Sequence, residues 1–461
     1  MLPADPEILD IVIQNDANKF PEDDNQWLKS IIIKGDSKQG SRRLRIQKVP
    51  RIFRESEENQ NCFDPLVVSI GPYHRGKPKL QLMEEHKPAM ARLYVNNNLE
   101  MLAELYKKVL KVAKAARECY TDEDEDSIRE FNHKEFARMM FLDGCFVLQF
   151  IYCCANNKRK DLQMKNNIAA SVQRDLFLLE NQLPFLVLKE LMSLRFSEEE
   201  WKNIFGNFIS QIRGPPLKYS RKEKLNNFAS GKNAPDDQLV HLEVDVDEPA
   251  HLLELFRRQL IDKSAFAVLP RSCGDWSSYR SAKELNAVGI HFRRSKTRQL
   301  TDIKFRSMYL TAILNLPPIT IDDSTRSMFL NMVAYEACPD SPDDFGVSSY
   351  ICFMDALIDH AEDVKELRSK GILFNMLGSD QQVANLFNDI ADNLVPNPYA
   401  FAVVKDRIEK HYKNKINIWL AEWLHAHFTS PWTVLAFLGA SLALALSVFQ
   451  AFPKLLPKSM L

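Results

Sequence analysis

Gly71-Pro-Tyr-His-Arg-Gly76-Lys77-Pro78 has the spacing of a phosphate-binding loop, G-x-x-x-x-G-K, up to its last residue. In such loops backbone N–H groups cradle phosphate, the lysine reaches it, and a Ser or Thr hydroxyl holds magnesium. Here Pro78 has no hydroxyl and Pro72 has no N–H, so the match is read as chance. Glu84, Glu85 and His86 resemble part of a zinc-binding helix, but no second histidine stands at the required spacing. Capping charges at a helix start are the stronger reading. Cys145 follows Asp143-Gly144 and could act as a nucleophile. Its neighbours (FLDGCFVLQF) are apolar and disfavour the thiolate, so core packing is the stronger reading. A hydrolase or transferase would have to use Cys145, or His74 with Glu84 and His86. No G-x-S-x-G elbow and no dinucleotide fingerprint occurs. No catalytic, cofactor-binding or metal residues are assigned, and the enzyme reading is the lesser one.

The composition is that of a folded protein: 461 residues, 45% hydrophobic and 26% charged, with a formal net charge of -1. That charge gives no global field to attract nucleic acid, and no nucleic-acid partner is expected. The eight cysteines include Cys62, Cys119, Cys153, Cys154, Cys273, Cys338 and Cys352 besides Cys145. None forms a C-x-x-C pair or a Cys/His cluster with zinc spacing, so neither a disulfide framework nor a metal site is indicated. Arg42, Arg43, Arg45, Lys48, Arg51 and Arg54 form a basic patch. It lacks interleaved stacking aromatics and reads as a solvated loop.

Residues 1–40 read as a peripheral segment and 41–428 as a globular body. Within the body, 66–70 (LVVSI) reads as a short strand ended by Gly71-Pro72, and 83–116 as helix. The acidic stretch 121–126 reads as a loop. Two apolar segments, 136–152 and 176–192, are too long for strands and read as buried helices packed together, the second kinked at Pro184. Arg138, Asp143, Arg174, Asp175 and Glu180 argue against either crossing a membrane. Residues 214–237 are polar and breaker-rich, a mobile insert. Helix is expected over 250–261, β structure over 289–321 with Pro317-Pro318 at an edge or turn, and helix over 324–338 and 349–367. A last amphipathic helix carries Ile408, Tyr412, Ile416, Trp419, Leu420 and Trp423 on one stripe, with Lys405, Arg407, Lys410, Lys413 and Lys415 around it. It can lie on anionic lipid or pack on the body.

The run 433–452 (TVLAFLGASLALALSVFQAF) contains no charged residue. Twenty helical residues cover ~30 Å, the thickness of a bilayer's hydrocarbon core. Pro431 suits a first helical turn, and Trp432 suits the headgroup level. A transmembrane anchor is therefore expected at 429–453, with Trp432, Thr433 and Phe452 near its ends and 454–461 as a short tail. Ala436, Ala440, Ala443 and Ser447, with Gly439 beside them, form a small-residue stripe that allows homo-oligomerisation through the anchor. The N-terminus lacks a basic region followed by an apolar one, and no Asn-x-Ser/Thr sequon occurs. These features favour a cytosolic body on a single-pass protein of the plasma membrane or an endomembrane.

Several stretches resemble one plant family: VVSIGPYHRGKPKLQLMEEHK (67–87), FLDGCF (141–146), RDLFLLENQLPFLVL (174–188) and SAKELNAVGIHFRRSK (281–296). LPPITIDDSTRSMFLNMVAYE (316–336) and MDALIDHAEDVKELRSKGIL (354–373) complete the set. The family is the plant domain of unknown function 247. The likeness runs from about Arg45 onward; the tyrosine of its usual Ile-Tyr-Arg-Val-Pro start is missing at Ile46-Gln47-Lys48-Val49-Pro50. The resemblance implies a mostly helical body with one C-terminal anchor and no established enzymatic activity. Some grass members are linked to pollen self-incompatibility. The expected fold is mainly α with a minor β component (α+β), a large helical body followed by one transmembrane helix. The expected role is a membrane-tethered module for protein interaction or recognition, with the lipid bilayer and an unidentified protein as partners.

Overall fold

Between His133 and Ala155 apolar side chains point in every direction around a helix, so the helix they form must be enclosed on all sides. In the computed structural model it is: Phe136, Met140, Cys145, Phe146, Phe150 and Ile151 are fully buried. The structure describes residues 45–55, 59–120, 128, 130–214, 248–262, 264, 280–308, 311–392, 394–413, 435 and 439–447. They fall in one compact unit that begins at Arg45.

The helices before and around this core are α1 (Arg51–Arg54), α2 (Gln81–Tyr94), α3 (Leu99–Glu118) and α4 (His133–Ala155). Then follow α5 (Asn166–Asp175), α6 (Phe185–Met192), α7 (Glu198–Ile212) and α8 (Leu252–Leu260). Helices α2, α3, α6 and α7 all pack on α4. Asn132 starts α4 with a capping box: its side chain accepts from the Lys134 and Glu135 N–H groups, and Glu135 accepts from the Asn132 N–H. Gly144 lets α6 come close, since a Cβ there would collide with Leu191 Cδ1.

The C-terminal half adds α9 (Ala282–Ala287), β1 (Ile290–Arg294), β2 (Lys304–Ser307), β3 (Ala312–Leu316) and β4 (Ile319–Ile321). After them come α10 (Thr325–Glu336), α11 (Gly346–Asp355), α12 (Ala361–Ser369), β5 (Leu373–Asn375), α13 (Asp380–Ala391) and α14 (Ala402–Lys413). Strand β3 is central in a three-stranded sheet, parallel to β1 and antiparallel to β2, with Ile290 opposite Ala312 and Phe305 opposite Leu314. Strands β4 and β5 pair in parallel as a second small sheet. Pro317-Pro318, which cannot donate to a ladder, separates the two sheets, the turn position expected for it. Buried Arg257 of α8 donates to Glu336 of α10 at 2.9 Å, and Glu336 accepts the first N–H groups of α11, from Val347 and Ser348. The chain is thus mainly helical with a small strand component, as expected.

Four expectations need correction. The helix expected over 83–116 is two helices, because Asn96 and Asn97 take positive φ (51° and 60°) and Asn98 caps α3. The segment 176–192 is not one kinked helix: α6 begins after Pro184, and 176–184 is buried but irregular. Its carbonyls are satisfied by side chains, with Gln182 Nε2 donating to Leu176 and Leu178. Residues 66–70 form no strand and belong to no sheet; the chain bends at 66–67 instead. Likewise 349–367 is divided between α11 and α12, the second capped by His360 and Asp363.

Helix α14 settles its own apolar stripe on the body as far as Lys413. Tyr412 stacks under the Arg280 guanidinium at 3.4 Å from the ring centroid, and buried His411 meets Phe305 edge-on. The rest of that stripe (416–423), the segment 1–40, the acidic stretch 121–126, residues 215–237 of the expected insert and the tail 454–461 lie outside the described residues.

Candidate functional site

Residues 66–71 form no strand and have no neighbouring strand, so their N–H groups need other acceptors. Asp175, at the end of α5, accepts from Leu66, Val67 and Val68 at 2.8–3.1 Å. Asn181 accepts from the Ile70 N–H at 2.7 Å and donates to the Val68 carbonyl at 3.1 Å. Asp143 of α4 accepts from the Gly71 N–H at 2.9 Å. Three side chains from the helical core replace the missing strand. Gly71 sits at φ +75°, and a Cβ there would lie 2.8 Å from the Gln182 carbonyl oxygen and 2.9 Å from the Tyr120 hydroxyl.

A second feature lies beneath this segment. Lys87 of α2 is fully buried, its Nζ 2.6 Å from Asp143 Oδ1. It also donates to the Ser69 carbonyl at 2.6 Å and to Glu84. Arg75 completes the group, 2.9 Å from Glu84 and 3.9 Å from Asp143. Burial pushes the Asp143 carboxyl above its ordinary range, while Lys87 and Arg75 pull it back.

A third cluster joins the same loop to the 45–64 segment. Arg54 donates to Glu180 at 2.5 Å, and Glu180 also accepts from the Val49 N–H at 2.8 Å. Buried His74 has Nδ1 2.8 Å from Lys77 Nζ and Nε2 3.6 Å from Glu180. Burial, reinforced by Lys77, drops His74 to about 3, so the ring is neutral at physiological pH. An ammonium only donates, so Nδ1 is the acceptor and the ring proton sits on Nε2, facing Glu180. Asn331 of α10 extends the stitching, accepting from the Leu179 N–H and donating to the Cys62 carbonyl.

The sequence-derived candidates do not converge. His74 lies in the Glu180 cluster, Glu84 is bound to Arg75 and Lys87, and His86 turns to the Leu162 carbonyl at 3.1 Å. Cys145 is fully buried in α4 and burial raises its thiol far above the thiolate range. Its charged neighbourhood is Arg195, not a histidine. The loop that imitates a phosphate cradle is lined by Asp143, Glu180, Asp64 and Glu84, carboxylates that repel phosphate, and Lys77 is engaged by His74 and Asp64. Among the described residues no three His, Cys, Asp or Glu side chains are placed to hold a metal ion. The arrangement fastens one segment to another.

The expected anchor is covered only in part. Trp432, Thr433, Ala436 and Phe452 lie outside the described residues. Residues 439–447, including Gly439, Ala440, Ala443 and Ser447, are helical and exposed throughout. Ser447 donates to the Ala443 carbonyl at 2.8 Å, and among the described residues nothing outside the helix's own backbone lies within 4 Å of where a Gly439 Cβ would be. Among the described residues the helix long and apolar enough to cross a bilayer is α4, and 83% of its most apolar window is buried inside the protein, as in a core helix. The described residues therefore do not establish a C-terminal anchor.

A family model described as a plant protein of unknown function, DUF247, matches residues 46–446. The chain belongs to that family. Two Arabidopsis thaliana proteins are similar along most of their lengths. A UPF0481 protein is 28% identical over 441 residues, covering 87% of this chain and 85% of the relative. A putative UPF0481 protein is 23% identical over 488 residues, covering 88% and 89%. No solved structure gives a significant match. In this DUF247 chain the stretches that carried the resemblance supply the stitching: Gly71, Arg75, Glu84 and Lys87 from the first, and Asp143 from the second. Asp175, Glu180 and Asn181 come from the third, and Asn331 and Glu336 from the fifth.

The sequence held a signal for these residues. Asp143 and Glu180 interrupt apolar runs, and an acid there must find a partner or a backbone donor. Reading them only as arguments against membrane spans missed that second implication.

Proposed function

We propose that this DUF247 protein is a membrane-tethered interaction module, its apolar run 433–452 seated in a bilayer and its body facing the cytosol. One observation carries the reading. The described part of the run is a helix whose leucines are mostly exposed among the described residues: Leu435, Leu442, Leu444 and Leu446 are 54–68% exposed, while α4, of similar character, is enclosed. Transferring a leucine side chain out of water is worth roughly 1.5–3 kcal/mol, so an apolar helix left uncovered by its own body has a strong drive toward lipid. The interaction role follows from where the polar chemistry is spent. Lys87, Asp143, Asp175 and Glu180 of the signature stretches are engaged in holding the 45–80 segment on the core, which favours surfaces as the working parts. A recognition role of the self-incompatibility type is the narrower form of this reading, and association through the Ala436, Ala440, Ala443 and Ser447 stripe is its oligomeric form.

The test is fractionation of the full chain from plant cells, with carbonate washing and detergent release. The wild-type protein is expected in the membrane pellet until detergent is added. Leu442→Arg with Leu444→Arg is expected to move it to the aqueous fraction, because each buried charge costs about 2.5–3.5 kcal/mol at a helix centre. A wild-type chain recovered intact in the aqueous fraction would overturn the proposal. Proximity labelling from both termini would then name the protein neighbours and the side of the membrane.

A further inference from the structure

The stretch 395–413 leads out of the body toward the apolar run, and its outer surface has a definite chemistry. Val395, Tyr399 and Val403 are 77%, 48% and 42% exposed. Arg407, Lys410 and Lys413 continue the exposed side of α14, at helical spacings of four, three and three from Val403. The opposite side is already occupied. Val404, Ile408 and Tyr412 pack on the core, and Arg280 holds both Tyr412 and Glu409. Helix α14 therefore cannot bury its apolar stripe in lipid; the face it offers is basic with Val403 on the same side, and exposed Val395 and Tyr399 lie shortly before the helix. Its acids are fewer: Asp406 pairs with Lys410 at 2.7 Å and Glu409 with Lys413 at 3.1 Å, and Arg407 has no carboxylate partner among the described residues.

We infer that this outer face of α14 rests on an anionic bilayer surface, with Arg407, Lys410 and Lys413 among the phosphates and carboxylates of the headgroups. Tyr399 and Val403 sit at the headgroup boundary, where amphipathic rings and small apolar groups are favoured. The inference rests on the membrane-tether reading. Charge complementarity selects anionic lipid over neutral lipid, and the body-packed stripe fixes which side of the helix faces it. The contact would hold the body in one orientation on the membrane instead of leaving it to swing on its connection to the anchor.

The full chain is reconstituted into vesicles of phosphatidylcholine alone, or of phosphatidylcholine mixed with phosphatidylserine, and recovered by flotation. Lysine acylation of Lys410 and Lys413 and oxidative labelling of Tyr399 are then read by mass spectrometry. In the mixed vesicles the labelling is expected to fall about fivefold, the factor of one cation close to an anionic surface, and high salt restores it. Arg407→Glu with Lys410→Glu and Lys413→Glu is expected to abolish the Tyr399 protection while flotation and thermal stability stay unchanged. Equal labelling in both vesicle types, on protein that floats, would overturn the contact and leave the tether standing. Protein that does not float with either vesicle overturns both.

Discussion

Replacing Lys87 with methionine should be among the most damaging single changes in the body, and replacing Asp143 as well should undo part of the damage. Lys87 and Asp143 are both fully buried and 2.6 Å apart, with Gly71 donating to the same carboxylate and the Ser69 carbonyl accepting from the same ammonium. The methionine side chain would fill similar volume but leave the Asp143 carboxylate with one N–H and an arginine 3.9 Å away. Removing one partner of such a pair costs about 3–5 kcal/mol. Asp143→Asn keeps an oxygen for the Gly71 N–H and leaves Lys87 with Glu84 and Ser69, so it should cost about 1–3 kcal/mol. With Lys87→Met and Asp143→Asn combined, neither member of the pair is left as a stranded charge. The double variant should therefore be more stable than the Lys87→Met single variant by ~2 kcal/mol. For a body of this size, ~2.1 cal/mol/K per residue makes that about 2 °C, and the single loss about 5 °C. Thermal unfolding of the four proteins in one detergent, followed by tryptophan fluorescence and differential scanning calorimetry, measures the cycle. If the double variant loses the sum of the two single losses, Lys87 and Asp143 are not coupled, and the account of the interlock fails.

Gly71→Ala should cost more than about 3 kcal/mol, strain at φ +75° compounded by the two close oxygens, whereas Gly76→Ala, at φ +83° with open space, should cost only about 1 kcal/mol. Equal losses in a chemical-unfolding comparison would refute this. Burial, with Asp359 and Asp392 nearby, raises Asp355 to about 6, so its favourable share of stability is present below about pH 4 and lost as pH rises through 6. Because the group is partly exposed, Asp355→Asn should stabilise by only about 1 kcal/mol at pH 7, with the difference vanishing near pH 4, as read from melting temperatures across that range. Buried His251 runs the other way. Burial lowers it to about 4, so the unfolded chain takes up a proton near pH 6.5 that the folded chain refuses, and stability falls between those values by about 3 kcal/mol. His251→Asn keeps an acceptor for the Glu254 N–H and should flatten that acid limb by about one proton; an unchanged slope would show that His251 is not the titrating group.

What the sequence made legible followed from periodicity. The all-round apolar pattern of α4, the β-rich stretch around 289–321 and the mainly helical class each come from local composition acting over ten or more residues. The failures came where a long-range side chain overrode a local pattern. LVVSI has the composition of a strand, but Asp175, more than a hundred positions away, takes the N–H groups a strand partner would have taken. LFLLENQLP has helical hydrophobicity, but Asn181 and Gln182 bond back to carbonyls of the preceding turn and hold it irregular. At the candidate site the reverse happened. His74, Glu84, His86 and Cys145 have the right residue types for catalysis, and only their three-dimensional partners assign them to structure.

That assignment bears on where function should be sought. A buried ion pair is costly to assemble and is often no better for stability than a well-packed apolar pair. Its specific effect here is geometric: Lys87 and Asp143 accept only one placement of the Gly71 loop, and Asp175 and Asn181 accept only one register of residues 66–70. Such contacts fix how the 45–80 segment packs on the helical core. A fold that spends its charged residues on holding one shape keeps its outer surface in a constant geometry. Helix α14 is held by the same kind of contact: Arg280 clamps Tyr412 and Glu409, and His411 seats against Phe305. Contacts of this kind serve the proposed interaction role, because a partner then meets surfaces already held in one geometry.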